Sequence, residues 1–225
     1  MTTSTRPTIG ILGAGKLGTV LARLFVGAGY RVLIAGSGAK NRIEIIIDVL
    51  APGAVPLTAA EVTERADVVI LALPLGKALP RDGAAVLPAA ALRGTLVVDA
   101  TNYWWEVDGH RADLADPAVS TSRLVQEALA GSRVVKAFNH LGYHDLDERP
   151  RPSGDPHRVA MAIAGDDAAD LAVVADLVDA VGFEPVVIGD LDDGVHLGPG
   201  SELFGVTTDA SGVRAALDRA QAAAA

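Results

Sequence analysis

The chain has 225 residues, half of them hydrophobic but only 4% aromatic, and its formal net charge is −9. This length suffices to bury one large α/β core, and the acidic balance argues against a nucleic-acid partner, which needs clustered Lys and Arg. The sequence contains no cysteine, which excludes disulfides, iron–sulfur clusters and thiolate metal sites. No apolar run approaches the roughly 18 residues of a membrane span. Residues 1–7 lack the apolar stretch of a signal peptide, so we expect a cytoplasmic protein with no membrane partner.

A glycine-rich turn follows the first apolar run of the chain. Residues 8–12 read Thr-Ile-Gly-Ile-Leu and lead into the spacing G-x-G-x-x-G, after which apolar residues recur at helical spacing. In such a strand, turn and helix, the first glycine permits the turn, the second lets a pyrophosphate approach, and the third lets helix and strand pack. Free N–H groups at the helix start then hold the anion. We therefore expect dinucleotide contacts from Gly13, Ala14, Gly15, Lys16, Leu17 and Gly18.

Strands and helices alternate through the rest of the chain. Apolar runs predict strands at residues 31–35, 55–57, 67–73, 95–99 and 133–138, and helical spacing predicts helices at residues 42–50, 59–66, 82–92 and 122–130. Later strands at 158–164 and 184–188 flank a helix at 167–181, and residues 148–157 have the composition of a surface loop. Alternation of this kind predicts parallel β-α-β units with right-handed crossovers.

These elements predict one Rossmann-type domain over residues 1–225, a doubly wound α/β fold whose mainly parallel sheet has about eight strands. Residues 189–225 follow the last strand and hold one short predicted helix at 211–220. They leave no room for a separate helical domain. We expect residues 1–7 to form a tail, and residues 189–225 to close the pocket or a dimer.

The turn after the second strand bears on the choice of dinucleotide. NAD sites usually place Asp or Glu there, about 20 residues after the glycines, to hold the ribose hydroxyls. Here the first acid is Glu44. Ser37, beside Gly38, can donate a hydrogen bond, and Lys40 and Arg42 can supply charge to a 2′-phosphate. The sequence therefore favours NADP(H) as cofactor; the alternative is that the two cations are solvated at a helix start.

Three further motifs carry a family resemblance over residues 8–190. They are Gly-Ser at 36–37, Asp-Ala-Thr-Asn at 99–102 and Val-Lys-Ala-Phe-Asn at 135–139. Together with the glycine turn, they make the chain resemble the NADP oxidoreductases that depend on the deazaflavin coenzyme F-420. The chain is also similar to the NADP domain of STEAP-type ferric reductases. The resemblance implies hydride transfer between NADP(H) and F-420, and we expect a homodimer that acts on a small redox substrate.

Two departures from the family pattern bear on the substrates. The family often has Gly-Ser-Arg after the second strand, with the arginine on the 2′-phosphate, whereas Gly38 stands in the third position here. Lys40 or Arg42 must then take that part. The long apolar C-terminal segment of the archaeal F-420 enzymes is replaced by a shorter polar one, which begins with residues 198–205. The second substrate is therefore less determined than the cofactor.

Ligands of an open parallel sheet bind outside the carboxyl ends of its strands. By the resemblance, the backbone at Leu73, Pro74 and Leu75 flanks the cofactor ribose, whereas Asn102 and Asn139 line the hydride-transfer space. Pro74 can equally be a plain strand terminator.

An aromatic group, Tyr103, Trp104 and Trp105, follows the fifth strand in a chain that is poor in aromatics. Three interpretations of it stay open. The rings can stack on a flavin or deazaflavin, cover the core, or lie at a dimer interface.

Ring-to-ring hydride transfer needs proximity and orientation more than an acid or a base. A carbonyl or imine substrate would instead need a proton donor, and the nearest candidates by position are His140 and Lys136, with Asn139 beside them. The alternative is a satisfied polar histidine and a strand-end lysine. His140 and His144 have helical spacing, but further ligands are not evident, so no metal site is predicted.

Two other functions remain open beside F-420 chemistry. One is the NADPH-dependent reduction of a flavin or of a small carbonyl or imine compound. The other is a non-catalytic NADP(H)-binding protein that reports redox state to a partner, for which we expect nucleotide binding without turnover.

Overall fold

A single eight-stranded sheet forms the centre of the computed structural model, which describes residues 6–81 and 87–224. The strands in chain order are β1 (Ile9–Leu12), β2 (Val32–Ala35), β3 (Val55–Pro56), β4 (Val68–Leu71), β5 (Leu96–Asp99), β6 (Arg133–Lys136), β7 (Ala160–Gly165) and β8 (Glu184–Gly189). Their order in the sheet is β3-β2-β1-β4-β5-β6-β7-β8. The predicted Rossmann-type sheet is confirmed, and the described residues include no separate helical domain.

Nine α-helices are present in the described residues. They are α1 (Lys16–Gly27), α2 (Glu44–Leu50), α3 (Ala59–Arg65), α4 (Leu75–Ala78), α5 (Trp105–Asp108), α6 (Thr121–Ala128), α7 (Tyr143–Glu148), α8 (Ala168–Ala180) and α9 (Ala210–Ala224). Short 3-10 helices occupy Lys40–Arg42 and Asp192–Leu197. None of the helices in these residues is long and apolar enough to cross a membrane.

The central strands are buried on both faces. Every residue of β1, β2, β4 and β5 is buried, as expected for parallel strands covered by helices. Phe25 of α1 and Phe138 belong to the core on one face, while Leu33 and Leu71 belong to the core on the other. The sheet thus places the carboxyl ends of its parallel strands β1 to β6 along one edge.

The direction of β7 differs from the expected succession of parallel units. β7 runs antiparallel to β6, with Lys136 opposite Ala164, and it is parallel only to β8. A parallel connection needs a crossover that carries the chain back along the sheet. Between β6 and β7 the chain instead forms the short helix α7, which packs on α1, and the loop predicted around 148–157. β7 therefore begins at the edge of the sheet where β6 ends.

Several predicted boundaries shift where the chain leaves the sheet. The strands predicted at 67–73 and 133–138 end at Leu71 and Lys136, so the residues after them are free to form loops at the strand ends. The predicted helix 82–92 lies partly outside the described residues, because 82–86 are not among them. Residues 89–94 form turns rather than a helix. The helices α4, α5 and α7 were not predicted because four to six residues are too few to show a helical period.

The C-terminal segment packs on its own chain. Leu197, Leu203 and Val213 form a third apolar cluster with Ala162 and Val186 of the last two strands. The helix predicted at 211–220 is longer, Ala210–Ala224, and the Asp209 carboxylate accepts the Gly212 N–H at 2.8 Å at its start. Residues after 189 are therefore part of the same folded unit as the sheet.

Candidate active site

The glycine turn between β1 and α1 shows a different requirement at each glycine. Gly13 has φ +125°, and a Cβ there would overlap the Ala72 carbonyl group. A Cβ on Gly18 would overlap the carbonyl of Gly13, so helix and turn touch at this point. A Cβ on Gly15 would meet no protein atom within 4 Å. Only the middle glycine faces open space, which is the place where a pyrophosphate must approach the backbone.

A cavity of about 480 Å³ opens in front of this turn. It spans the ends of β1, β2 and β4 and brings together seven of the predicted cofactor residues: Gly13, Ala14, Gly15, Ser37, Arg42, Leu73 and Pro74. No side chain caps the start of α1, so the first N–H groups of this helix remain available to an anion. The cavity also contains a cation that sequence reasoning missed, Lys77 of α4. Its helix has only four residues, and no motif marks it.

The guanidinium of Arg42 lies beside the turn that holds Ser37 and Gly38. Gly38 has φ +99°, and a Cβ on it would lie 3.8 Å from Arg42 Nη1. Arg42 therefore occupies the space next to the position where the family often has arginine. Lys40, two residues earlier in the same 3-10 helix, is exposed and does not line the cavity.

Other predicted cofactor residues lie outside the lining of this cavity. Lys16 donates to the Tyr143 hydroxyl at 3.1 Å and lies over the same ring, and Leu17 packs against the core. Leu75 is fully buried in the opposite core. Gly18 and Gly38 shape the two turns rather than the cavity surface.

Asn102 and Asn139 form a hydrogen-bonded pair at the ends of β5 and β6. The Asn102 amide donates to the Asn139 carbonyl at 2.8 Å, and the Asn139 amide donates to Asn102 Oδ1 at 3.0 Å. The Asn139 amide also donates to the Leu197 carbonyl at 2.7 Å. The pair thus joins two strand ends to the C-terminal segment. The predicted hydride-transfer residues are adjacent, although neither lines the dinucleotide cavity.

Lys136 is held in a buried ion pair. Its ammonium lies 3.1 Å from Asp99 Oδ2 and donates to the Thr101 carbonyl at 2.6 Å. The same carboxylate accepts the Thr101 N–H at 2.9 Å and the Ser122 hydroxyl at 2.6 Å. Burial raises the pKa of Asp99, but Lys136 and these hydrogen bonds outweigh it and hold the pKa below its usual value. Lys136 is 1% exposed, so this network fixes the backbone before Asn102 and does not reach a cavity.

His140 is likewise buried, at 1% exposure. Its Nε2 accepts the Ala162 N–H of β7 at 3.0 Å, and its carbonyl accepts the Gly205 N–H at 2.7 Å. Burial lowers the pKa of His140 to about 4. The imidazole is therefore neutral at pH 7 and serves as an acceptor that links the strand to the C-terminal segment.

A second cavity, of about 430 Å³, adjoins the asparagine pair. One wall is the loop after Asn102, and the other is the segment around Leu197. Its lining includes Tyr103, Ala115, Asp116, His196 and Gly198. His196 carries no signal in the sequence, because the 3-10 helix that places it against the loop is set by tertiary packing.

The two tryptophans follow Tyr103 in the loop that forms one wall of this cavity. Trp104 meets Phe204 edge to face at a centroid distance of 5.5 Å, and Trp105 stacks on His110 at 5.2 Å. They are 42% and 55% exposed, and neither lines the dinucleotide cavity or the second cavity. Trp104 thus ties the loop to the C-terminal segment. In the described part of the chain, no three His, Asp or Glu side chains are placed to hold a metal ion.

Comparison with protein families gives one match. Residues 8–103 match the model of the family described as NADP oxidoreductase, coenzyme F420-dependent. The resemblance predicted from the motifs is confirmed, and the match identifies an NADP-dependent oxidoreductase. None of the curated proteins matches the chain.

Solved structures share the fold over most of the chain. The hypothetical protein SMa0349 of Sinorhizobium meliloti is 26% identical, with a TM-score of 0.75 over 92% of this chain and 97% of its own. A proposed F420-dependent NADP reductase of Arthrobacter sp. FB24 is 23% identical, with a TM-score of 0.70 over 84% and 88%. The imine reductase of Myxococcus stipitatus in complex with NADP+ is 19% identical, with a TM-score of 0.58 over 97% and 62%. This chain thus spans less than two thirds of the imine reductase.

Proposed function

We propose that this NADP-dependent oxidoreductase, whose residues 8–103 match the F420-dependent family, transfers hydride between NADP(H) and coenzyme F-420. One observation carries the proposal. The Gly13–Gly15 turn, the Ser37 hydroxyl and the Arg42 guanidinium line one cavity. A pyrophosphate at the turn and a 2′-phosphate at the end of β2 therefore find their partners in the same space.

The residues present fit NADP(H). Gly15 leaves open space before an uncapped helix start, and the lining of the cavity combines apolar residues with the cations Arg42 and Lys77. Arg42 takes the part of the family's arginine because its guanidinium lies next to Gly38. A guanidinium suits a phosphate because it donates two parallel hydrogen bonds. When bound, NADPH supplies the hydride.

The chemistry of the strand ends supports F-420 as the second substrate. Lys136 and His140, the two proton-donor candidates expected from the sequence, are buried and hydrogen-bonded. Transfer between two rings depends chiefly on orientation, and the Asn102–Asn139 pair gives this region a fixed geometry. The family match favours F-420 as that coenzyme.

A small imine or carbonyl compound is the second candidate acceptor. The observation that favours it is His196, a partly buried imidazole in the cavity beside the asparagine pair. Reduction of a C=N or C=O bond needs one proton, which an imidazole can donate. Imine reductases share the fold.

We also propose that the protein is a homodimer. The helix α2 exposes an unusually apolar face, with Ile45 at 78% and Val49 at 71% exposure, continued by Ile46, Leu50 and Val55 of β3. Apolar patches of this kind favour association. Light scattering of the wild type and of an Ile45→Lys/Val49→Lys variant tests this: a dimer that becomes a monomer supports it, and a wild-type monomer contradicts it.

Oxidation of NADPH with F-420, FMN, FAD and 1-pyrroline in parallel tests the proposed function, with NADH as the control. We expect turnover with F-420 and NADPH, and at least tenfold less with NADH. Turnover with 1-pyrroline alone favours the second candidate. NADPH binding without turnover on any acceptor contradicts an enzyme and favours a redox sensor.

A further inference from the structure

The cavity of about 430 Å³ adjoins the asparagine pair on two sides. Tyr103, which follows Asn102, and Gly198, which follows Leu197, both line it. Asn102 and Leu197 are themselves joined through Asn139, which donates to both. Each wall of the cavity thus contains a residue next in sequence to a partner of Asn139, one of the two predicted hydride-transfer residues.

We propose that this cavity binds the compound that exchanges hydride with NADP(H), and that the portion of this compound inside it is uncharged or cationic. The proposal rests on the proposed function for the reaction. It adds the location and the charge of the second substrate, which neither the family match nor the fold specifies.

The charge follows from the residues of the wall. No Lys or Arg is present among the described residues that line the cavity, whereas the Asp116 carboxylate is. The nearby Arg123 is engaged with Asp166 at 2.9 Å and with Asp192 at 2.8 Å, so it adds no uncompensated positive charge. An anionic group inside the cavity would lose water and meet the Asp116 carboxylate, with no Lys or Arg side chain of the lining to offset that like charge.

Contacts within one chain hold both walls in place. The Ser201 hydroxyl donates to the His196 carbonyl at 2.7 Å, and Gly205 N–H donates to the His140 carbonyl at 2.7 Å. Outside the lining of the cavity, Phe204 of the C-terminal segment packs on Trp104 of the loop. The cavity is therefore formed before a ligand arrives, which lowers the ordering cost of binding.

His196 is one of the polar side chains of the cavity, and its imidazole is the one suited to donate a proton to a ligand. Its imidazole makes no hydrogen bond within the described residues, whereas the Tyr103 hydroxyl already donates to the Gly109 carbonyl at 3.0 Å. With an imine, hydride adds to carbon, the π electron pair moves to nitrogen, and nitrogen takes one proton as NADPH becomes NADP+. His196 is placed to give that proton.

Two exposed alanines of one loop provide a matched test. Ala115 lines the cavity and Ala112 does not, so Ala115→Trp fills the cavity while Ala112→Trp adds the same side chain outside it. Calorimetry measures binding of NADP+, and then of F-420 and 1-pyrroline to the NADP+ complex, with KM values measured in parallel. We expect Ala115→Trp to weaken acceptor binding and raise its KM by about tenfold or more, with NADP+ affinity unchanged in both variants. Equal acceptor binding in both variants overturns the location.

The charge is tested with 1-pyrroline against 1-pyrroline-5-carboxylate, which differ by one carboxylate. We expect the carboxylate to bind the wild-type NADP+ complex about tenfold more weakly or worse; equal or tighter binding overturns the charge assignment.

The proposed function and the proposed cavity are contradicted by different results. An acceptor that binds, is displaced by Ala115→Trp and is never reduced contradicts the proposed function only. Turnover with an unchanged acceptor KM in Ala115→Trp contradicts the cavity only, and a wild type that neither binds nor reduces F-420 or 1-pyrroline contradicts both.

Discussion

The guanidinium of Arg42 lies beside Gly38, such that a Cβ on the glycine would be 3.8 Å from Arg42 Nη1. The positive φ of Gly38 favours glycine at this position, and Arg42 is a cation in the lining of the cavity next to it. The neighbouring cation Lys40 is exposed and is not part of the lining. This relationship favours Arg42 over Lys40 as the partner of the proposed 2′-phosphate.

Removal of this charge should reduce the preference for NADPH. A hydrogen bond to a charged group contributes about 1.5–3 kcal/mol, so Arg42→Gln should raise the Kd of NADPH by about tenfold to 100-fold. The Kd of NADH should stay within about twofold. Calorimetry with both nucleotides measures the difference, and Lys40→Gln is the matched control with an effect below about threefold. A larger effect for Lys40→Gln would assign the phosphate to the other cation.

Alanine substitutions at two glycines of the turn should have opposite effects: one should weaken nucleotide binding, and the other should lower the stability of the fold. Gly15→Ala places a methyl group in open space, so we expect a change in unfolding free energy below about 1 kcal/mol and at least a tenfold loss of NADPH affinity. Gly18→Ala drives a methyl group into the Gly13 carbonyl and should destabilise the protein by about 1–3 kcal/mol. Urea unfolding and nucleotide titration check both. A Gly15→Ala protein that binds NADPH like the wild type would show that the pyrophosphate lies elsewhere.

The ion pair of Lys136 and Asp99 should matter for stability rather than for proton transfer. Lys136→Met leaves a buried carboxylate without its partner, which costs about 3–5 kcal/mol. The pKa of Asp99 is lowered in the folded protein, so its contribution is present above about pH 4 and is lost as the pH falls through the folded pKa. The deficit of Lys136→Met should therefore shrink in acid. Asp99→Asn/Lys136→Met should recover part of the loss; a double variant no more stable than Lys136→Met at pH 7 would contradict this account.

Burial of His140 should make the free energy of unfolding depend on pH, in a range higher than the one in which Asp99 loses its contribution. Its pKa falls from 6.5 to about 4 on folding, because burial disfavours the charged imidazole. The unfolded chain then binds the proton more readily, so stability is complete above about pH 6.5 and is lost as the pH falls toward 4, by about 3 kcal/mol. His140→Leu should flatten this part of the curve, and His157→Leu, at an exposed position, should not. Parallel curves for His140→Leu and the wild type would rule out the buried imidazole as the cause.

His196→Gln should affect the reduction of an imine more than cofactor binding. Loss of a general acid typically costs about 100-fold in rate or more, so we expect that decrease in kcat with 1-pyrroline and an unchanged Kd of NADPH. Ring-to-ring transfer to F-420 should fall by less than about tenfold. The pH dependence of kcat in the wild type and the variant provides the second readout. An unchanged pH profile in His196→Gln would show that the proton comes from solvent.

The sheet and the glycine turn could be predicted because their signals are local. Apolar runs bounded by turn residues marked the eight strands, and the G-x-G-x-x-G spacing located Gly13, Gly15 and Gly18 at the end of β1. Seven of the predicted cofactor residues do line one cavity. Their contact with a nucleotide stays a prediction.

The features that the sequence did not reveal depend on contacts between distant segments. Lys136 and His140 were proton-donor candidates because of their position at the end of a strand. No local pattern shows that Lys136 pairs with Asp99 and that His140 accepts the Ala162 N–H. No local pattern marked His196 either, because its segment is placed by contacts of the neighbouring Leu197 with distant residues, such as the hydrogen bond from Asn139. The antiparallel entry into β7 was missed for the same reason: the packing of α7 on α1 determines where the chain turns.

The most direct test of the account is transfer of deuterium from NADPH labelled at the hydride-donating carbon of the nicotinamide. The wild-type protein is given this NADPH with F-420, and the product is analysed by mass spectrometry. We expect one deuterium in the reduced coenzyme, and at least tenfold less labelled product when labelled NADH replaces NADPH at the same concentration for the same time. Reduced coenzyme without deuterium, or equal labelling from both nucleotides, would contradict direct NADP-selective hydride transfer.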